Sequence, residues 1–240
     1  MPSNLALAVH ELGIDLDETA LKRFDAYRDR LAESAQHFNL TTVRDPEAIE
    51  VRHFLESVAF GRLLSDHGLL KDEASVLDIG SGAGFPGLPL QIAFPSVRVT
   101  LLESLTKRCV FLQEVVDALG LKHTTVLDGR AEEFGRDSRY REAFDLVVAR
   151  AVAPMPVLVE YALPFLRLGG YLAATKGSAT LRELDESQRA LAELGGEHRQ
   201  TLRFEPPEGM AQSVILIEKT SPTPSRYPRR PGMASKRPIL

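Results

Sequence analysis

The run Val76-Leu77-Asp78-Ile79-Gly80-Ser81-Gly82-Ala83-Gly84-Phe85 constrains this chain more than any other stretch, because an apolar strand pattern leads directly into glycines at three alternating positions. Such a loop lets backbone approach a ligand closely, and it belongs at the carboxyl end of a strand in an open sheet. The surrounding texture agrees. Short β-rich runs at 75–79, 98–103, 124–128, 144–149, 170–175, 199–204 and 214–218 alternate with helical patterns at 104–119, 156–167 and 180–195, the last closed by Gly195-Gly196. Strands alternating with helices predict an α/β fold with a doubly wound, largely parallel, seven-stranded sheet covered on both faces. A short turn at Pro206-Pro207-Glu208-Gly209 separates the last two runs, so the final strand is expected to run antiparallel.

Ahead of the sheet the pattern is helical. Leu21, Phe24, Tyr27, Leu31, Ala35 and Phe38 recur at three- and four-residue intervals, with Asp17 as the N-cap. A second helix is predicted over 46–64, with Asp45 as N-cap and Pro46 at its first position. The chain therefore divides into a helical N-terminal extension (1–72), a ligand-binding domain (73–220) and a basic C-terminal segment (221–240).

Charge is uneven. The net charge is −4, and residues 1–75 hold 8 Lys and Arg against 14 Asp and Glu, whereas 226–240 hold Arg226, Arg229, Arg230, Lys236 and Arg237 with no acid. That end reads either as a polyanion contact or as a solvated terminus. The single cysteine, Cys109, excludes an internal disulfide and a multi-cysteine zinc site, and no metal centre is expected. No apolar run approaches the roughly 20 residues of a membrane span, and the N-terminal apolar run lacks a basic flank, so a soluble, cytoplasmic protein is expected.

The glycine spacing discriminates among ligands. A dinucleotide loop needs a small residue at its third glycine position, where this chain has Phe85. The alternation Gly80-x-Gly82-x-Gly84 behind Asp78 instead resembles motif I of class I methyltransferases, and an acid at the strand end suits a cationic sulfonium and amino-acid moiety rather than a pyrophosphate. Glu103, at the end of the second strand, can accept hydrogen bonds from ribose hydroxyls, as nicotinamide enzymes also arrange. S-adenosylmethionine is therefore the expected cofactor, with a nicotinamide-dependent oxidoreductase as the alternative. After the third strand, Asp128-Gly129-Arg130-Ala131-Glu132-Glu133 lies where an adenine would sit, or is a solvated turn.

Absences narrow the methyl acceptor. Pyrimidine C5 chemistry needs a cysteine nucleophile, and Cys109 lies inside a helical run. The Asn/Asp-Pro-Pro-aromatic loop typical of amine methylation is missing after the fourth strand, where Ala149-Arg150-Ala151-Val152-Ala153-Pro154 stands instead. Guanine N7 already carries a lone pair, so its methylation needs alignment and no general base. Arg150 can hold the guanine or the cofactor carboxylate, or form a structural ion pair with Asp145 or Glu103.

Several segments together carry a specific resemblance: Asn39–Pro46 with Val51-Arg52-His53-Phe54-Leu55-Glu56-Ser57, the loop Asp78–Leu90 including Phe85-Pro86-Gly87, the run Ala149–Pro154, and Tyr227-Pro228-Arg229-Arg230-Pro231-Gly232. They resemble the RsmG (GidB) family of small-subunit ribosomal RNA methyltransferases over nearly the whole chain. The resemblance implies methyl transfer from S-adenosylmethionine to N7 of guanine 527 of 16S ribosomal RNA, naked or within a 30S particle. It implies cofactor contacts at Gly80, Phe85, Ala131, Glu132 and Arg150, to which the spacing argument adds Asp78, Gly82 and Glu103. The family pattern usually has aspartate at Glu56 and often proline at Ala234. Arg150 is the candidate catalytic residue, and His53, Lys176, Arg229, Arg230, Lys236 and Arg237 are candidate RNA contacts. A non-catalytic RNA-binding or ribosome-assembly module with the same fold is the remaining alternative.

Overall fold

The structure is a computed structural model that describes residues 4–37, 49–177, 180–206 and 211–240. Its centre is a seven-stranded sheet of β1 (Ser75–Ile79), β2 (Arg98–Glu103), β3 (Thr124–Asp128), β4 (Phe144–Arg150), β5 (Leu166–Lys176), β6 (Gly196–Phe204) and β7 (Gln212–Lys219). The order is β3-β2-β1-β4-β5-β7-β6. β1 pairs in parallel with both β2 and β4, whereas β7 inserts between β5 and β6 antiparallel to each. The antiparallel final strand is as expected.

Alternation along β1 assigns the two faces. Val76 joins Val99, Leu101, Leu146 and Val148 under the N-terminal helices, packed with Phe24, Tyr27, Phe54, Leu88 and Leu112. Leu77 and Ile79 face the other way, among Leu102, Val147, Leu158, Phe165, Ile215, Tyr227 and Ile239. Both faces of β1 and β4 are therefore buried, which explains their near-continuous apolar runs, whereas the edge strand β3 buries only Leu127.

The N-terminal helices are α1 (Asn4–Glu11), α2 (Glu18–His37) and α3 (Glu56–Asp66), the last entered through a π-helical turn, Glu50–Leu55. Asp17 caps α2 as expected, its Oδ1 accepting the Ala20 N–H at 2.7 Å. Phe38, the 39–46 motif with its Asp45-Pro46 cap, and turn residues 207–209 lie outside the described residues.

The crossovers are α4 (Gly87–Ala93), α5 (Thr106–Leu119), α6 (Ala131–Phe134) and α7 (Met155–Ala162), then α8 (Thr180–Glu186) and α9 (Gln188–Leu194). Two expected helices differ. The 156–167 helix stops at Ala162, because Pro164 brings no N–H and the chain tightens into a 3-10 turn, Leu163–Phe165, before Leu166 begins β5. The 180–195 helix breaks at Ser187, whose hydroxyl donates to Leu184 O at 2.7 Å. Gly195 does close it, at φ +81°.

The C-terminal segment folds back onto the domain and ends with a short helix, α10 (Met233–Lys236). Tyr227, Ala234 and Ile239 are buried. Arg136 donates to Pro228 O at 2.7 Å and Arg226 O at 3.0 Å, and Arg141 donates to Thr223 O at 2.6 Å and Tyr227 O at 2.8 Å. The three stretches read from sequence thus mark changes of texture within shared cores.

Candidate active site

β1 and β4 lie side by side at the centre of the sheet and their connections leave on opposite sides, which opens a crevice beyond their carboxyl ends. The glycine loop fills its floor. The Gly80 and Ser81 N–H groups both donate to Leu102 O, at 2.8 and 3.2 Å, so the loop continues the β1–β2 ladder. Gly80 has φ +68°, and a Cβ there would lie 3.0 Å from Val152. Glu103 locks the loop from the side: Oε2 accepts Gly82 N–H at 3.0 Å, and Oε1 accepts the N–H groups of Ser104 and Leu105 at 2.8 and 2.9 Å.

Above this floor is a cleft of about 200 Å³, lined by Gly80, Leu102, Ser104, Arg130, Ala131, Glu132, Val152 and Tyr161 among others. Gly80, Ala131 and Glu132 come together in this lining, whereas Phe85 and Arg150 are not part of it. Asp78, Gly82 and Glu103 support the loop around it. Glu132 is buried, and its Oε1 accepts the Gly232 N–H at 2.8 Å.

Asp78 is fully buried at the base of the loop. Its Oδ2 accepts the Gly87 N–H at 2.9 Å, while Oδ1 has no hydrogen-bond partner. Burial lifts this carboxyl to about 7, opposed by the Gly87 bond and the Arg150 charge. Gly87 must be glycine, since a Cβ would lie 2.4 Å from Leu101 Cδ2 and 2.8 Å from Asp78 Oδ2. An orphaned buried acceptor beneath a glycine cradle fits a ligand that carries positive charge.

Arg150 ends β4 with its guanidinium 5.3 Å above the Phe85 ring and Nη1 3.7 Å from Glu56 Oε1. Burial pulls it below the usual arginine value, opposed by Glu56 and Asp78. Neither ion pair considered from sequence forms. Asp145 is taken by Arg167 at 2.5 Å and by Ser75, and Glu103 faces Arg108 at 3.5 Å. Phe85 itself points away from the cleft into an aromatic stack, 4.6 Å from the His53 ring and 5.5 Å from Tyr27. The Tyr27 hydroxyl donates to Ala83 O at 2.5 Å, so α2 grips the loop directly.

The candidate RNA contacts separate. Arg230, Lys236 and Arg237 are exposed, and their side chains make no ion pair among the described residues. Arg229 does not reach outward: its guanidinium binds the fully buried Glu160, with Nη2 2.6 Å from Oε2 and Nε 2.9 Å from Oε1. Lys176 is also committed, paired with Glu183 at 2.8 Å and donating to Ala153 O, with 13 % of its side chain exposed. Its charge is compensated before any phosphate arrives. His53 is half-buried against Phe85 rather than presented on the surface.

Sequence reasoning missed Tyr27, Tyr161 and Glu160. Glu160 did leave a signal, as the one acid in the apolar run Met155–Ala162, because a buried carboxylate needs a partner. Nothing local marks Tyr27 or Tyr161.

Comparison with known proteins decides the family. Residues 20–210 match the family described as rRNA small subunit methyltransferase G. The chain belongs to this family. Its relatives include the ribosomal RNA small subunit methyltransferase G of Acetivibrio thermocellus, 44% identical over 228 residues (95% of this chain, 92% of the relative), and that of Lactococcus lactis subsp. lactis, 41% identical over 239 residues (99% of each). Among solved structures, a SAM dependent methyltransferase from Aquifex aeolicus shares the fold at a TM-score of 0.53 and 20% identity, covering 73% of this chain and 94% of its own. TrmN from Thermus thermophilus does so at a TM-score of 0.52 and 20% identity, covering 71% and 53%. Among the described residues of this family member, no helix is long and apolar enough to cross a membrane, and no cluster of His, Cys, Asp and Glu is arranged to hold a metal.

Proposed function

We propose that the chain transfers the methyl group of S-adenosylmethionine to N7 of guanine 527 in 16S ribosomal RNA. The observation that carries this reading is the Arg150 cation held over Phe85 of the glycine loop that floors the cleft, in a chain whose relatives are named for ribosomal RNA methylation.

The cofactor supplies an electrophilic methyl on a sulfonium. Gly80 and the loop backbone would admit it closely, Ala131 and Glu132 would wall its adenine, and Glu103, whose oxygens already accept loop N–H groups, would offer its remaining lone pairs to the ribose. Asp78 would contribute negative charge toward the cationic amino-acid end. Guanine N7 attacks with its own lone pair, so the chain's task is orientation and exclusion of water. Arg150 keeps N–H donors beyond its Glu56 contact. A donor to guanine O6 aligns the base and leaves the N7 lone pair free. Cys109 plays no part, because it is buried and its thiol is pushed up to about 12, chiefly by burial.

Exposed Arg230, Lys236 and Arg237 supply phosphate contacts. A ribosomal RNA acceptor supports a cytoplasmic activity, on free RNA or a 30S particle. Incubation with tritiated S-adenosylmethionine and 16S RNA or 30S particles from a strain lacking the modification tests the reading. Label is expected in N7-methylguanine. Label elsewhere, or none with either acceptor, contradicts it.

A further inference from the structure

We propose that the C-terminal segment is a working wall of the cofactor pocket, and that Arg229 and Glu160 are positioning residues whose ion pair sets cofactor affinity. This rests on the reading of the cleft as the cofactor site. Two lining residues touch the segment directly. Glu132 Oε1 accepts the Gly232 N–H at 2.8 Å, and the Tyr161 hydroxyl lies 2.9 Å from Ser235 Oγ. These contacts flank the cleft on the side built by α6, the element expected to face adenine.

The anchor stands just upstream. Glu160 is fully buried on α7, next to Tyr161, and would be an uncompensated charge without Arg229. Arg229 satisfies it three ways: its backbone N–H at 2.8 Å and its Nε at 2.9 Å on Oε1, and Nη2 at 2.6 Å on Oε2. The same Nη2 donates to Arg237 O at 2.8 Å, closing the segment into a loop around Gly232. Glycine suits that position, since its φ of +80° is costly for other residues. The pair therefore fixes where the Gly232 N–H points, and that N–H fixes one oxygen of Glu132 while the carboxylate retains other lone pairs for a ligand.

Coupling between two sites is reciprocal. If segment docking favours cofactor binding, bound cofactor must hold the segment more firmly. Two measurements on the full chain test this with S-adenosylhomocysteine as the probe. In Arg229→Lys, which keeps one charge contact but loses the fork, the Kd from calorimetry is expected to rise about tenfold. Its kcat at saturating S-adenosylmethionine should stay within about twofold of wild type, which a general loss of folding would not give. In the wild type, amide exchange at 229–236 is expected to slow about tenfold when the probe is saturating, and this arm needs no variant to fold. An unchanged Kd in Arg229→Lys, or exchange at 229–236 indifferent to the probe, overturns the proposal. A wild type that does not bind the probe at all overturns instead the cleft reading beneath it.

Discussion

The Arg150 guanidinium lies 5.3 Å above the centre of the Phe85 ring, joining the end of β4 to the glycine loop that follows β1. A cation over an aromatic face in a desolvated setting is held by the ring quadrupole, and here also by Glu56 at 3.7 Å. Arg150→Met should lower methyl transfer to ribosomal RNA by at least about 100-fold, the scale of losing an electrostatic group at a reacting centre. Arg150→Lys should rescue little, because an ammonium lacks the planar fork. Initial-rate assays at saturating cofactor check both, and near-wild-type rates in Arg150→Met would remove Arg150 from the mechanism.

Asp78 is expected to make cofactor affinity depend on pH. Its folded value of about 7 lies above the roughly 4 of an exposed aspartate. Between those values the folded chain holds a proton that the unfolded chain has lost, so this group's contribution to stability is full below about 4 and is lost as pH rises through 7. A cationic ligand favours the ionised carboxylate. Affinity for S-adenosylmethionine should therefore rise about tenfold from pH 6 to pH 8 and level off above. Asp78→Asn should flatten that rise, and calorimetry across the range reads it. A pH-independent wild type contradicts this role.

Gly87→Ala should destabilise the fold by about 1–3 kcal/mol, because its Cβ would meet Leu101 and the Asp78 carboxylate at 2.4 and 2.8 Å. Urea unfolding gives the loss. Cofactor affinity should fall as well, since the new methyl displaces the carboxylate.

Much of this was legible beforehand, for identifiable reasons. The bounds of β1 and β2 follow from their apolar runs, those of β3 from β-branched residues between polar turns, and Asp17 follows from cap chemistry. The places of Asp78, Gly80 and Glu103 at the glycine loop are recognisable because they depend on the backbone geometry of one local segment. Arg150 is conspicuous as a cation at the end of an apolar strand, but its partners are not legible: Glu56 and Phe85 approach from distant segments, and nothing near residue 150 specifies them. The role of Arg229 is illegible in sequence for a similar reason. In sequence Arg229 is one cation among five, and only its partner 69 positions away, the buried Glu160, turns it from a free surface charge into a half-buried, paired one.

Cys109 should be chemically quiet. Buried, and with its thiol pushed up to about 12 by burial and the nearby Asp128, it offers almost no thiolate at neutral pH. Native protein should resist iodoacetamide while denatured protein is labelled fully, and Cys109→Ala should keep at least about half of the wild-type rate. Loss of turnover with the fold intact would reopen a nucleophilic mechanism.

The exposed cations answer to salt. Replacing Arg230, Lys236 and Arg237 with glutamine should weaken RNA binding and reduce the slope of log K against log salt by about 2–3, near 0.7–0.9 per lost phosphate contact. Affinity for S-adenosylhomocysteine should not move. An unchanged slope in filter-binding titrations would take these three residues out of the RNA interface.

The central claim is the acceptor atom. It is tested most directly by mass mapping of modified nucleosides in 16S ribosomal RNA from a bacterial strain lacking its own family member, with and without this chain supplied in trans. N7-methylguanine at position 527 should be missing in the deletion strain, return with the wild-type chain and stay missing with Arg150→Met. A position that stays unmethylated when the wild-type chain is supplied, or the appearance of a different modified nucleoside, would contradict the account.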